Sequence, residues 1–321
     1  MHERENALKD WLLTLTNNKK FKLYPLPGDA SFRSYKRLEY EGVSQIVMDA
    51  PPDKETMEPF VTIANILRQA GIITPEIYAQ NIPQGFLLLS DLGDTLLLEK
   101  LNAKTADFYY KEAINILLKL QNCPIQNIPT FDISFMLSEM NICSEWFFKQ
   151  YLCLHLDEYE QHFISQTFQQ LASNIAEQPQ VFIHRDYHSR NLMLKDEASL
   201  GVIDFQDAMG GPFAYDLVSL LKDCYIGWPR EKVLSLVRYF FTNSHYCKHY
   251  DLAEFIRAFD MCGLQRHIKI LGVFSRLYLR DDKPGYLKHL PLTLKYVLEC
   301  TKTYEELHAF HDFLKMRVQL P

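Results

Sequence analysis

From Phe21 to Leu89 short apolar runs of strand length alternate with turn signals. The stretch FKLYPLPGDASFRSYKRLEYEGVSQIVMDAPP reads as strand, loop, strand, a turn at Glu41-Gly42, and strand. One helical pattern interrupts the series. In EPFVTIANILRQA, Glu58 to Ala70, the residues Val61, Ile63, Ala64 and Leu67 fall close to one face, and Gly71 stops the run. GFLLLSDLGD then supplies a last apolar strand, so residues 1–92 are expected to form a small α+β unit. Beyond Leu96 the period lengthens: KTADFYYKEAINILLKL places Tyr110, Ile114, Leu117 and Leu118 at i, i+4, i+7 and i+8. Helical patterns continue to Pro321 and predict a second, mainly helical unit over 93–321. The exception is VFIHRDYHSRNLMLKDEASLGVIDF, Val181 to Phe205, where short strand runs return around a turn at Lys195 to Ser199. That island of strand inside a helical domain holds most of the chemically capable residues. No internal repeat or low-complexity tract is present.

Composition narrows the class. The 321 residues are 47% hydrophobic with 12 Gly and 15 Pro, enough for packed cores in about two domains. A net charge of -6 gives no overall attraction for phosphate backbones or anionic lipid, so no nucleic-acid and no membrane partner is expected. The N-terminus carries charges throughout without an apolar h-region, and no window offers 18 uncharged apolar residues, so neither export nor membrane insertion is expected. The seven cysteines are odd in number and never closer than ten residues, which excludes C-x-x-C and zinc spacings. Reduced thiols and a cytoplasmic location fit this pattern.

His184-Arg185-Asp186-Tyr187-His188-Ser189-Arg190-Asn191 fits H-R-D-x-x-x-x-N, and thirteen residues after Asn191 comes Asp204-Phe205-Gln206. That order is the catalytic apparatus of kinase-fold phosphotransferases. Phosphoryl transfer needs an acceptor oxygen in line with the γ-phosphate, a group to take its proton, and Mg²⁺ bridging phosphate oxygens. Asp186 is the candidate to orient the acceptor hydroxyl and accept its proton, and Asn191 and Asp204 are the hard oxygen ligands for Mg²⁺. An isolated H-x-D would signify only a buried histidine and solvated carboxylates; order, spacing and flanking apolar runs together carry the reading. His184 is expected to brace the loop rather than carry protons. Asp216, at the start of DLVSLLKDCYIGW, reads as an anchor beneath the loop or as a helix cap, and the sequence leaves both open. The loop Pro27 to Ser34, with Gly28, Ser31 and Arg33, lies between the first two strands, where backbone N–H groups can cover phosphates. Ser90 and Leu92 belong to a connector whose backbone can pair an adenine edge. Only eleven residues separate Asp204 from Asp216, too few for an activation segment, so a small acceptor is expected rather than a protein. Its pocket is sought among Gln206, Asp207, Asp223 on the following helix, Trp228 as a sugar-stacking ring or a core residue, and the basic run Arg266, Lys269, Arg276 and Arg280.

Over about Leu23 to Asp223 these residues resemble the aminoglycoside phosphotransferase and choline kinase group, small-molecule kinases with the bilobal protein-kinase fold. More narrowly, MDAPP, GFLLLSDLGD, HRDYHSRNLM, VIDFQDA, YDLVSLLKDCY and RHIKILGVFSRLYLRDDKPGYLKHLP together resemble the anomeric N-acetylmuramate and N-acetylglucosamine kinases of peptidoglycan recycling. The resemblance implies an α+β fold with a small β-rich nucleotide lobe, ATP and Mg²⁺ as cofactors, and a sugar whose C1 hydroxyl becomes the α-1-phosphate. The chain departs from the wider pattern at its third strand. SQIVMDA lacks the lysine that contacts the α- and β-phosphates, and Met48 or Asp49 stands there. Arg33 is the first candidate to meet the phosphate charge, with Lys36 or Arg37 in reserve. An aminoglycoside or choline-like acceptor is the alternative within enzymes, and a catalytically weak nucleotide-binding module the alternative outside them.

Overall fold

The computed structural model describes residues 2–26, 32–196 and 198–320, the side chain of His2 apart. They divide into two compact units, Met1–Thr95 with Met193–Asp207, and Leu96–Leu192 with Ala208–Pro321.

The first unit is built on β1 (Lys22–Pro25), β2 (Ser34–Tyr40), β3 (Val43–Asp49), β4 (Ile77–Asn81) and β5 (Phe86–Ser90). They form one sheet in the order β1-β2-β3-β5-β4, each pair antiparallel. Strand alternation divides the sheet into two faces. Leu38, Val47, Phe86 and Leu88 share one face, and helix α1 (His2–Leu15) closes it with Leu8 and Leu12. Charged residues surround the helical spacing of Leu8, Trp11, Leu12 and Leu15, so α1 has no clear signal in the sequence. The opposite face carries Tyr35, Met48 and Leu87, paired across three strands. Helix α2 (Glu58–Gln69) buries Phe60, Ile63, Ala64 and Leu67, with Pro59 in its first turn. Phe60 thus takes the place expected for Val61, which is only half-buried.

In the second unit the short α3 (Leu97–Lys100) precedes α4 (Ala106–Leu120), which buries Tyr110, Ala113, Ile114 and Leu117. Next come α5 (Ile133–Ile142), a π-helix over Cys143–Tyr151 and α6 (Glu158–Ala176). Strands β6 (Gln180–Ile183), β7 (Leu192–Leu194), β8 (Leu200–Val202) and β9 (Met209–Pro212) follow, β6 pairing antiparallel with β9 and β7 with β8. The expected turn closes β7 onto β8, Lys195 N donating to Ser199 O at 2.9 Å. That hairpin belongs largely to the first unit. Val202 N donates to Ile73 O, and a Cβ on Gly201 would come 2.8 Å from Leu92 Cδ1, so the hairpin packs closely on the Leu92 side chain. Helices α7 (Tyr215–Leu221), α8 (Arg230–Asn243), α9 (Leu252–Leu279), α10 (Leu290–Thr303) and α11 (His308–Arg317) complete the chain. The 28-residue α9 is the spine of this unit, with a mostly buried surface. At Gly272 it lies against the backbone of Ile142 and Cys143 so closely that a Cβ would overlap Ile142 O at 2.6 Å. All seven cysteines are free thiols, and among the described residues no helix is long and apolar enough to cross a membrane.

Candidate active site

The loop after β6 is fixed from three sides. Asp216, fully buried at the start of α7, accepts from His184 N at 2.6 Å and Arg185 N at 3.0 Å. It therefore anchors the loop and does not cap its helix, which has no side-chain cap. Burial pushes its carboxyl up to about 6, against His184 and the two backbone donors that favour the ionised form. Arg185 adopts the left-handed backbone, φ 73°, rare for a residue with a Cβ, and the two donations to Asp216 hold it there. The Arg185 side chain reaches Glu139 of α5 at 2.8 Å and lies over the Phe135 ring. Glu139 also receives Lys269 at 2.7 Å and Gln265 at 3.2 Å, both from α9. Inside the loop, Asn191 Nδ2 donates to Asp186 O at 3.0 Å, and Ser189 N and Oγ both donate to Asp223 Oδ2. His184 is buried, and its Nδ1 accepts from Asp186 N, a bracing contact.

Asp186 is 40% exposed while its neighbours are not. Burial of the surrounding loop opposes its ionisation, but Lys269, Arg266, His188 and Arg185 override this and hold the carboxyl well below the usual range. Arg266 bonds to it directly. Only 3% exposed, it donates to Arg185 O at 2.5 Å and to Asp186 Oδ1 at 3.2 Å. A half-open carboxylate, ionised at neutral pH and clamped by a buried arginine, can receive a hydrogen bond from an approaching hydroxyl and later its proton.

The first unit holds the other part of the sequence pattern. Asp204 follows β8 in the left-handed conformation, φ 62°, is exposed, and accepts from Gln206 Nε2 at 2.9 Å. Phe205 is buried against Phe60 of α2, ring centroids 4.8 Å apart, which fixes the backbone on either side. The Tyr35 phenol is pushed up to about 12 by burial; Arg33 opposes this, while Asp204 and Glu55 add to it, so all three surround that phenol. Arg33 Nε pairs with Glu55 Oε2 at 2.5 Å.

Asp49 shares the α1 face with Val47 and is paired with Arg4 of α1, whereas Met48 lies on the opposite face. Lys36 pairs with Val47 and so lies on the α1 face, turned away from Met48. Arg37 shares the face of Met48 but is bound to Asp91 at 2.7 Å and Asp94 at 2.6 Å. Arg33, one residue ahead of β2, remains beside Tyr35 on the Asp204 side.

Gly28 and Ser31 lie outside the described residues. Ser90 N donates to Glu76 O and its Oγ accepts from Glu76 N, both at 2.8 Å, and Leu92 packs on Gly201. Gln206 is buried with Oε1 lacking a hydrogen-bond partner, and Asp207 is exposed. Asp223 is not on the helix expected for it but just past the end of α7, buried, with Tyr225 N donating to its second oxygen at 2.9 Å. Arg276 is half-buried with an unpartnered Nε, and burial and Arg280 lower its pKa. Trp228 donates through Nε1 to Tyr110 OH at 2.8 Å, and Lys232 lies over its ring. Sequence reasoning missed Glu139 and Glu55, isolated acids whose partners are distant along the chain. Among the described residues no group of three or more His, Cys, Asp or Glu side chains could hold a metal ion.

With the fold and the loop geometry in place, residues 22–256 match the phosphotransferase enzyme family model. The chain belongs to that family. At 36% identity over 91% of this chain and 87% of the relative, it is similar to an N-acetylmuramate/N-acetylglucosamine kinase of Pseudomonas aeruginosa. An N-acetylmuramate/N-acetylglucosamine kinase of Neisseria meningitidis is also 36% identical, over 97% of this chain and 95% of its own. Among solved structures, choline kinase LicA from Streptococcus pneumoniae superposes with a TM-score of 0.66 at 12% identity, covering 92% of this chain and 99% of that one. The ADP-bound aminoglycoside phosphotransferase APH(2'')-Ib gives 0.61 at 15%, covering 92% and 98%. These likenesses give the α+β fold of kinase-like phosphotransferases.

Proposed function

We propose that this protein is an ATP-dependent kinase of the cytoplasm that phosphorylates the anomeric hydroxyl of an amino sugar, N-acetylmuramate or N-acetylglucosamine, in cell-wall recycling. The observation that carries the reading is Asp186, ionised, half-open and clamped by Arg266 on a loop anchored by Asp216. The relatives' shared name directs the choice of acceptor. The acceptor oxygen attacks the γ-phosphorus, the bond from that phosphorus to the β–γ bridging oxygen breaks, ADP departs, and the hydroxyl proton passes to Asp186. Asp186 first orients the hydroxyl and then takes its proton.

Residues 1–92 act as the nucleotide-binding lobe and 93–321 as the catalytic and acceptor lobe. Gly28, Ser31, Arg33, Ser90 and Leu92 belong to the nucleotide side, Arg33 supplying the positive charge that Met48 cannot. Asn191 and Asp204 suit Mg²⁺ as hard oxygen donors, and the Asn191 amide, donating through Nδ2 to Asp186 O, turns its Oδ1 away from that carbonyl. When bound, Mg²⁺ neutralises charge on the phosphate oxygens. Gln206 and Asp207 stay with the acceptor side, whereas Asp223 and Arg266 hold the catalytic loop. An ATP-consumption screen with and without Mg²⁺, against N-acetylmuramate, N-acetylglucosamine, choline and an aminoglycoside, tests this. Turnover is expected only with Mg²⁺ and one of the two sugars; turnover confined to choline or the aminoglycoside overturns the assignment.

A further inference from the structure

We infer that Glu139 is a positioning residue for the transfer step: acting through Arg185, it holds the catalytic loop in the arrangement that presents Asp186 to the acceptor. The inference rests on the reading of Asp186 as the group that receives the acceptor proton. Arg185 immediately precedes Asp186 and is gripped by three helices. Its N–H donates to Asp216 of α7 at 3.0 Å, its carbonyl accepts from Arg266 of α9 at 2.5 Å, and its guanidinium reaches Glu139 of α5 at 2.8 Å. The left-handed backbone of Arg185, φ 73°, costs free energy in a residue with a Cβ, so the loop keeps that conformation only while these contacts outweigh the cost. The two backbone grips are indifferent to the side chain at 185. The grip by Glu139 is the one that requires arginine.

Glu139 is itself fixed, so its pull on the loop has a constant direction. It is buried, and α9 supplies Lys269 Nζ at 2.7 Å to the same oxygen that binds Arg185 and Gln265 Nε2 at 3.2 Å to the other. Three residues beyond Lys269, Gly272 lets α9 lie against the backbone of Ile142 and Cys143, where α5 ends, which leaves α5 little freedom to slide. Phe135, one turn before Glu139 on the same helix face, lies 4.9 Å from the Arg185 guanidinium and restricts its approach. The charge balance depends on the same residue. Arg185 and Lys269 both act on Asp186, and Glu139 is the acid that pairs with both. Without it, two largely buried cations lose a partner and are drawn toward the carboxylate that must stay open to the acceptor hydroxyl. Kinase activation loops become ordered when a phosphate is added opposite an arginine. Here a resident carboxylate meets the loop arginine, and the order of the loop needs no modification.

The test compares kcat and the KM values for ATP and the amino sugar in wild type, Glu139→Gln, Arg185→Met and the double variant, each checked for folding by its thermal melt. Each single change should lower kcat about 10- to 100-fold with both KM values within about threefold of wild type, since the fault lies in placing the base. Because both act through one contact, kcat of the double variant should lie within about threefold of the slower single. Arg185→Met leaves Glu139 paired with Lys269 and Gln265, so it decides the matter by itself if Glu139→Gln does not fold. A folded Arg185→Met with kcat within about threefold of wild type overturns the inference, as do losses that multiply in the double variant or fall on KM alone. Wild-type turnover of neither sugar, or near wild-type kcat in Asp186→Asn, instead overturns the reading on which it rests.

Discussion

Replacing Arg266 with methionine removes the clamp on Asp186 while keeping most of the side-chain volume. Two contacts are lost, 2.5 Å to Arg185 O and 3.2 Å to Asp186 Oδ1. At an effective dielectric of 20 a pair of unit charges 3.2 Å apart interacts by about 5 kcal/mol. The Asp186 carboxylate is 40% exposed, and solvent screening reduces this to about 1–2 kcal/mol, roughly one pKa unit. The charge-assisted bond to the carbonyl adds about 1.5–3 kcal/mol of loop fixation. Wild-type Asp186, held well below the ordinary range, stays ionised across pH 5–8 and gives no acid limb to kcat there. Without Arg266 its pKa rises by about one unit from a value well below the ordinary range, with Lys269 still in place, so the carboxylate stays ionised above pH 5. The expected result is kcat lower by about 10- to 100-fold at pH 7.5 through loss of loop fixation, with a profile between pH 5 and pH 8 shaped like that of wild type. Steady-state kcat against pH, with a circular-dichroism melt to confirm folding, is the assay. A folded variant with kcat within threefold of wild type refutes the idea that Arg266 governs Asp186.

Asp186→Asn should lower kcat by about 10²–10⁴ through loss of the base with the melt unchanged, and near wild-type turnover removes Asp186 from the mechanism. Asp204→Ala should abolish Mg²⁺-dependent nucleotide binding, and unchanged affinity in calorimetry shows the metal assignment to be wrong. Arg33→Ala should raise the KM for ATP about tenfold, roughly 1.4 kcal/mol, with the acceptor KM nearly constant; an effect on the acceptor alone puts Arg33 on the wrong side of the reaction. Gly272→Ala should destabilise the protein by about 2 kcal/mol or more, because the new methyl meets the backbone of Ile142 and Cys143 and not a side chain that can turn aside. An unshifted melting temperature shows that α9 can move away there at no cost.

Much of this was legible in local pattern. The strand spacing around Glu41-Gly42, the α2 helix and the return to strands at Val181 follow from periodicity and turn residues alone. Alternation along β2 and β3 also separates the two sheet faces: Lys36 and Asp49 face α1, and Arg37, on the other face, has acids nearby in the connector. The π-helix over Cys143–Tyr151 has no such signature, and its packing on Gly272 depends on a contact more than a hundred residues away. Nor does sequence order show that Met193–Asp207 joins the first unit, since Gly201 and Val202 meet Leu92 and Ile73 only in three dimensions. The pairing of Arg266 with Asp186, 80 residues apart, belongs to the same kind. A basic run on a helix resembles a binding face until its partner is seen to be the loop itself.

The central claim is the transfer of the γ-phosphoryl group to C1 of an amino sugar, and the product reports on it directly. Phosphorus and proton NMR of a reaction containing the protein, Mg²⁺, ATP and N-acetylmuramate or N-acetylglucosamine should show ADP and a phosphate coupled to the anomeric proton in equal amounts. The same mixture with Asp186→Asn should show at least a hundredfold slower formation. Phosphate on another hydroxyl, ADP formed without sugar phosphate, or an Asp186→Asn rate equal to wild type would contradict the account.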